Sequence, residues 1–144
     1  MNYAIVFRLL GYILMIEGVL LLLPAVTSLI YAEWAVMGVF LLTAAISAAL
    51  GLGLRTIKPR SKVFYMREGF AATALSWIAI SIVGAVPFVL TGCIPNPVDA
   101  LFETVSGFTT TGASILPAVE GLPNGILFWR SFTHWIGGMG VLVF

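Results

Sequence analysis

Residues 107–114 read Gly-Phe-Thr-Thr-Thr-Gly-Ala-Ser, set between apolar segments long enough to cross a bilayer. The stretch is too polar to face lipid. Non-helical backbone is tolerated at membrane depth only where it is buried in protein or lines a water-filled path. Carbonyls of consecutive threonines followed by a glycine are oxygen dipoles that can replace a cation's hydration shell. Gly112 supplies a permissive φ where the chain must turn a carbonyl inward, and a packed filter would leave no room for an added Cβ there. The competing reading is an ordinary surface turn, with the threonine side chains packed locally.

The remaining polar residues are few. Asp99 reads as an acid near a helix N-terminus, where it complements the dipole. Glu103, one turn later, either faces a vestibule and concentrates cations or bonds groups behind the filter; the sequence leaves both open. Glu17 lies well inside the first apolar run, where a carboxylate costs about 2.5–3.5 kcal/mol on insertion scales. It reads first as a hydrogen-bonding group between helices and second as an ion or proton site. Arg130 and His134, four apart, share a helix face, and the chain's one histidine has no ligand-spaced partner. Glu120 reads as a solvated loop charge, and Cys93 as an apolar filler at a span end. The Gly137-Gly138-Met139-Gly140 surface suits close helix packing, with a hinge as the alternative. The sequence contains no nucleophile elbow, P-loop, zinc-protease or dinucleotide motif, so no enzyme activity is expected.

These residues must be positioned by membrane helices. Of 144 residues, 60% are hydrophobic and 9% charged, and the mean hydropathy is +1.10; a soluble domain carries about 25% charged residues. The net charge of +1 gives no reason to expect a nucleic-acid partner. Four apolar runs stand out: 4–30, interrupted by Arg8, Glu17 and Pro24; 35–54; 70–93; and 125–144, which carries Arg130 and His134. The first is too long for the apolar region of a cleaved signal peptide. Tyr31, Ala32 and Glu33 form a short turn, so the first two runs make a hairpin. Arg55, Lys58, Arg60, Lys62 and Arg67, five of the seven basic residues, fall in the next loop, which places that loop and the N-terminus in the cytoplasm. Pro95 and Pro97 stop the third run. Val98, Leu101, Phe102 and Val105 then mark one face of a helix over 98–106, about 14 Å long and half a bilayer core. Gly107 is expected to close it as a C-cap, with Pro117 and residues 121–124 forming the surface return.

The run from Asp99 to Ser114, followed by Phe128-Trp-Arg-Ser-Phe-Thr-His-Trp-Ile-Gly-Gly-Met-Gly140, resembles the Trk/Ktr/HKT superfamily of potassium transporters, the TrkH type in particular. The resemblance implies four linked helix–pore loop–helix units around one pore, with potassium as substrate and no cofactor. It implies a homodimeric subunit of the cell (inner) membrane and a cytosolic nucleotide-binding regulatory partner. It aligns Thr110, Thr111, Gly112 and Ala113 with the first filter quarter, K⁺ being met by the carbonyls of Thr110, Thr111 and Gly112. Thr109 and Ser114 flank them, and Asp99 and Glu103 stand as pore-helix or vestibule acids.

The expectation is an all-α integral membrane protein. It comprises an N-terminal hairpin over 1–54, a basic cytoplasmic loop over 55–69, and one helix–pore loop–helix unit of a potassium-channel-like fold over 70–144. The filter is placed at about 109–114. Because the sequence holds one such unit and stops in its second helix, it reads as the N-terminal part of a potassium uptake subunit. The alternatives are a single-unit channel that self-assembles as a tetramer and a non-conducting membrane assembly fragment.

Overall fold

The computed structural model describes residues 3–58, 63, 65–92, 94–114 and 122–143, the last four of these by backbone alone. Arg60 and Lys62 of the basic loop, Cys93, and Pro117, Glu120 and Gly121 of the surface return lie outside the described residues. Among the described residues six helices follow in chain order: α1 (Tyr3–Leu20), α2 (Leu22–Ile30), α3 (Trp34–Arg55), α4 (Met66–Leu90), α5 (Pro97–Phe108) and α6 (Asn124–Val143).

The first apolar run is nearly continuous helix, broken only at Leu21. Pro24 lacks the N–H that would bond the carbonyl four residues back, so the ladder is interrupted one turn before the proline. Among the described residues, three spans are long and apolar enough to cross a membrane: Tyr3–Ile30, Trp34–Arg55 and Met66–Leu90. The fourth apolar run forms α6, which is 20 residues long but is not among them; Arg130, His134 and its hydroxyl residues lower its hydropathy. Arg55 ends α3 and Arg67 lies in the first turn of α4. The connection between these helices is therefore shorter than the 55–69 expected from charge alone. At its far end the Glu68 carboxylate accepts the Tyr65 N–H at 3.1 Å, which satisfies one of the free donors of a helix start.

Tyr31, Ala32 and Glu33 turn the chain back, with Ala32 at φ 58°, and α3 packs antiparallel along α1. Small residues set how closely the two approach. A Cβ on Gly11 would lie 2.7 Å from the Gly51 carbonyl oxygen, and one on Gly51 would lie 2.6 Å from the Gly11 oxygen. Gly18 meets Ala44 in the same way one contact further on, and between the two crossings Ser47 Oγ donates to the Leu14 carbonyl at 2.6 Å. Small residues that admit backbone contact, joined by a polar bond, hold helices together where lipid removes the hydrophobic drive.

The hairpin packs on α4 through α1, while α5 lies between α4 and α6. Their common core is aromatic. Trp129 of α6 is fully buried and donates its indole N–H to the Gly84 carbonyl of α4 at 3.0 Å. Its ring meets Phe40 of α3 and Phe108 of α5 edge-on, at centroid distances of 6.3 and 6.4 Å. One indole thus joins the hairpin to the helix–loop–helix unit.

Candidate functional site

The site is built at the C-terminal end of α5. Asn96 caps the start of this helix, its side chain accepting the Val98 N–H at 3.0 Å; Pro97 occupies the first turn with Asp99. The helix runs two residues past the expected end, and Gly107 lies inside it rather than capping it. The glycine serves packing: a Cβ there would strike the Thr133 hydroxyl and lie 3.0 Å from Thr133 Cβ. Thr109 is the C-cap, and Thr110 takes the left-handed position at φ 57°. The Thr110 N–H bonds the Gly107 carbonyl and the Thr111 N–H bonds the Ser106 carbonyl, each at 3.0 Å. This is the paired closure of a Schellman motif, with threonine where glycine is usual.

Beyond the closure the chain runs without regular structure through 111–114, and all of residues 109–114 are exposed. Gly112 has φ 80°, which only glycine adopts without strain. The crowding expected around it is absent: a Cβ would meet nothing within 4 Å among the described residues. Steric pressure on this position would have to come from outside the described residues; conformation alone constrains it here.

The carbonyls divide into two groups. The Thr109 carbonyl accepts the Thr110 hydroxyl at 2.7 Å, and the Ala113 carbonyl accepts the Ser106 hydroxyl at 2.5 Å. Between them, the carbonyls of Thr110, Thr111 and Gly112 accept no hydrogen bond among the described residues. The Thr109 hydroxyl donates to the Val105 carbonyl at 2.7 Å and stands 2.8 Å from the Thr111 hydroxyl, fixing the threonine side chains on their own segment.

Behind the loop sits Glu103, 3% exposed. Arg130 Nε of α6 donates to its Oε1 at 2.6 Å, and Ser114 Oγ lies 3.1 and 2.9 Å from its two oxygens. The carboxylate therefore ties the end of the loop to α6. His134 does not join this group; its Nδ1 lies 3.0 Å from the Arg130 carbonyl, one turn back on the same helix. Gly137 presses on the last turn of α5, where a Cβ would collide with the Phe108 carbonyl and lie 2.6 Å from its carbon; Gly138 faces open space. Glu17 is 4% exposed, and neither of its oxygens has a hydrogen-bond partner among the described residues. No cluster of three or more His, Cys, Asp or Glu side chains occurs among them either.

Sequence reasoning missed four contacts, three of them long-range. Ser106 and Arg130 carried the signal of polarity inside apolar helices but no indication of partner. Glu33, passed over as part of a turn, accepts the Asn124 and Gly125 N–H groups at 2.8 and 3.1 Å, capping α6 from the other end of the chain. Trp129 lay within the resembling motif without a role assigned to it.

A half-length helix and an exposed carbonyl loop, held between α4 and α6, define an all-helical integral membrane protein with a helix–pore loop–helix unit. The chain belongs to the TrkH family of cation transport proteins, whose family model matches residues 32–144. It is 39% identical over 139 residues to an uncharacterized cation transporter of Methanocaldococcus jannaschii, covering 96% of this chain and 29% of that protein. It is 35% identical over 148 residues to the Trk system potassium uptake protein TrkH of Escherichia coli K12, covering 99% and 30%. The crystal structure of the potassium transporter TrkH from Vibrio parahaemolyticus superposes with a TM-score of 0.91 at 32% identity, over 99% of this chain and 31% of that one. The chain thus spans about 30% of the length of the curated relatives it matches.

Proposed function

We propose that this chain is the first segment of a potassium uptake transporter and that its loop supplies one quarter of the selectivity filter. The observation that carries the reading is the run of exposed residues Thr110, Thr111 and Gly112, whose carbonyls accept no hydrogen bond among the described residues, bracketed by carbonyls already bonded at Thr109 and Ala113. Oxygen dipoles held by the protein cost little to reorganise when an ion sheds water, and opposing quarters would complete its coordination. Ala113 and Ser114 then act as the tethered end of the filter, Ser114 through Glu103 and Ala113 through Ser106. Asp99, in the first turn of α5, complements the positive end of that helix. The resemblance adds a homodimeric subunit with a cytosolic nucleotide-binding regulator. The basic residues after α3 support a cytoplasmic N-terminus.

The test is a chimera in which this chain replaces the matching segment of the Escherichia coli TrkH, assayed for growth on limiting potassium in a strain without other uptake systems. Gly112→Ser forces a side chain into a left-handed conformation at about 1–2 kcal/mol. It should lower K⁺ over Na⁺ discrimination roughly tenfold while membrane abundance holds. Thr110→Ser, which keeps carbonyl and hydroxyl, should change it little. Unaltered K⁺ affinity and Na⁺ inhibition in Gly112→Ser would return the loop to a surface turn.

A further inference from the structure

A basic cleft of about 830 Å³ opens between the start of α1 and the end of α3, which the hairpin brings to the same end of the molecule. Arg8, Arg55 and Lys58 line it with Ile5, Leu9 and Thr56, and no carboxylate does among the described residues. Tyr12 forms its inner wall, with the Arg55 guanidinium 5.5 Å from the centre of its ring. Tyr12 also begins a second cavity, an almost wholly apolar groove of about 610 Å³ between the outer faces of α1 and α3. The groove passes Met15, Ile16 and Val19 to Leu22 on one side, and Leu52, Ala45 and Leu41 on the other. The ten rises from Tyr12 to Leu22 cover about 15 Å, which is half the hydrocarbon thickness of a bilayer, or one leaflet.

We infer that this cleft and groove together bind one anionic phospholipid, the phosphate among Arg8, Arg55 and Lys58 and an acyl chain along the groove. Three observations support it independently of the filter. The cations at the cleft complement a phosphate, and basic pockets between transmembrane helices suit anionic headgroups. The apolar groove starts where the charge ends. Its length matches a single leaflet rather than the whole bilayer. The small residues Gly18, Ala44, Ala45 and Ala48 keep the groove open; at Ala45 a larger side chain would fill it.

The experiment uses purified protein carrying this sequence, with native mass spectrometry and titration of lipid nanodiscs made of phosphatidylcholine alone or with phosphatidylglycerol. One phosphatidylglycerol should be retained per chain in preference to phosphatidylcholine. Arg8→Gln, Arg55→Gln and Lys58→Gln should each weaken that retention about fivefold. Ala45→Phe, which leaves every charge in place, should weaken it comparably. Inorganic phosphate at millimolar concentration should not compete, since it lacks the chain. Equal retention of the two lipids, or loss with the charge variants but none with Ala45→Phe, would overturn the proposal. The second result would leave only an electrostatic patch for free phosphate or an acidic protein segment. Every readout is lipid retention, so a failed filter would leave this result intact.

Discussion

Glu103 and Arg130 join α5, which the exposed loop follows, to α6 through one short contact, with Arg130's side chain 23% exposed and Glu103's 2%. Breaking a buried pair costs about 3–5 kcal/mol because the abandoned charge stays buried; the exposure of Arg130 puts this pair at the lower end. A double-mutant cycle of Glu103→Gln and Arg130→Gln, read from thermal unfolding in detergent, should give a coupling of about 1–3 kcal/mol. Additive effects would mean the contact contributes nothing. Glu17 is the opposite case, a buried carboxyl for which the described residues offer no acceptor or donor. Glu17→Leu should therefore raise the unfolding midpoint by the equivalent of about 1–3 kcal/mol. Lost growth rescue at normal membrane abundance would instead assign the acid to ion movement. Both acids were visible in the sequence as anomalies. What each one faces was not, because Arg130 lies 27 positions from Glu103 and no local pattern encodes that distance.

At the scale of elements, long apolar runs located the spanning helices, and an apolar face repeating at intervals of three and four located α5; the break at Leu21 within the first run was not foreseen. Helix ends were less legible. The expected glycine cap at 107 was displaced because the same residue type serves two purposes, left-handed turns and close packing, and only the neighbour across the gap decides between them. Here that neighbour is Thr133. The glycines of α6 make the same distinction testable. Gly137→Ala drives a methyl into the Phe108 backbone and should cost about 1–3 kcal/mol, loosening the loop that follows. Gly138→Ala meets open space and should be neutral or stabilising by up to about 1 kcal/mol through helix propensity. Comparison of their unfolding midpoints checks the pair; equal effects would remove the close crossing of α5 and α6.

For the whole molecule, the sequence conveyed class and order well, because a 60% hydrophobic composition and span lengths depend on no partner. Orientation across the bilayer rests on the basic residues after α3. In a Cys93→Ser background, single cysteines at Tyr31 and Ile57, both exposed and at opposite ends of α3, should label from opposite sides, Ile57 from the cytoplasm. Labelling of Ile57 from outside would invert the topology and the charge argument with it.

Glu33 gives the molecule an order in time. Its carboxylate accepts amide protons from residues 91 and 92 positions later. At about 5–20 residues per second of synthesis, roughly 5–20 s pass between the making of the turn and the arrival of the helix end it caps. During that interval the hairpin rests on its own helix–helix contacts, among them the Gly11–Gly51 and Gly18–Ala44 approaches and the Ser47 bond. The hairpin is thus a template completed early. α6 can dock against it only after residues 109–114 have left the ribosome.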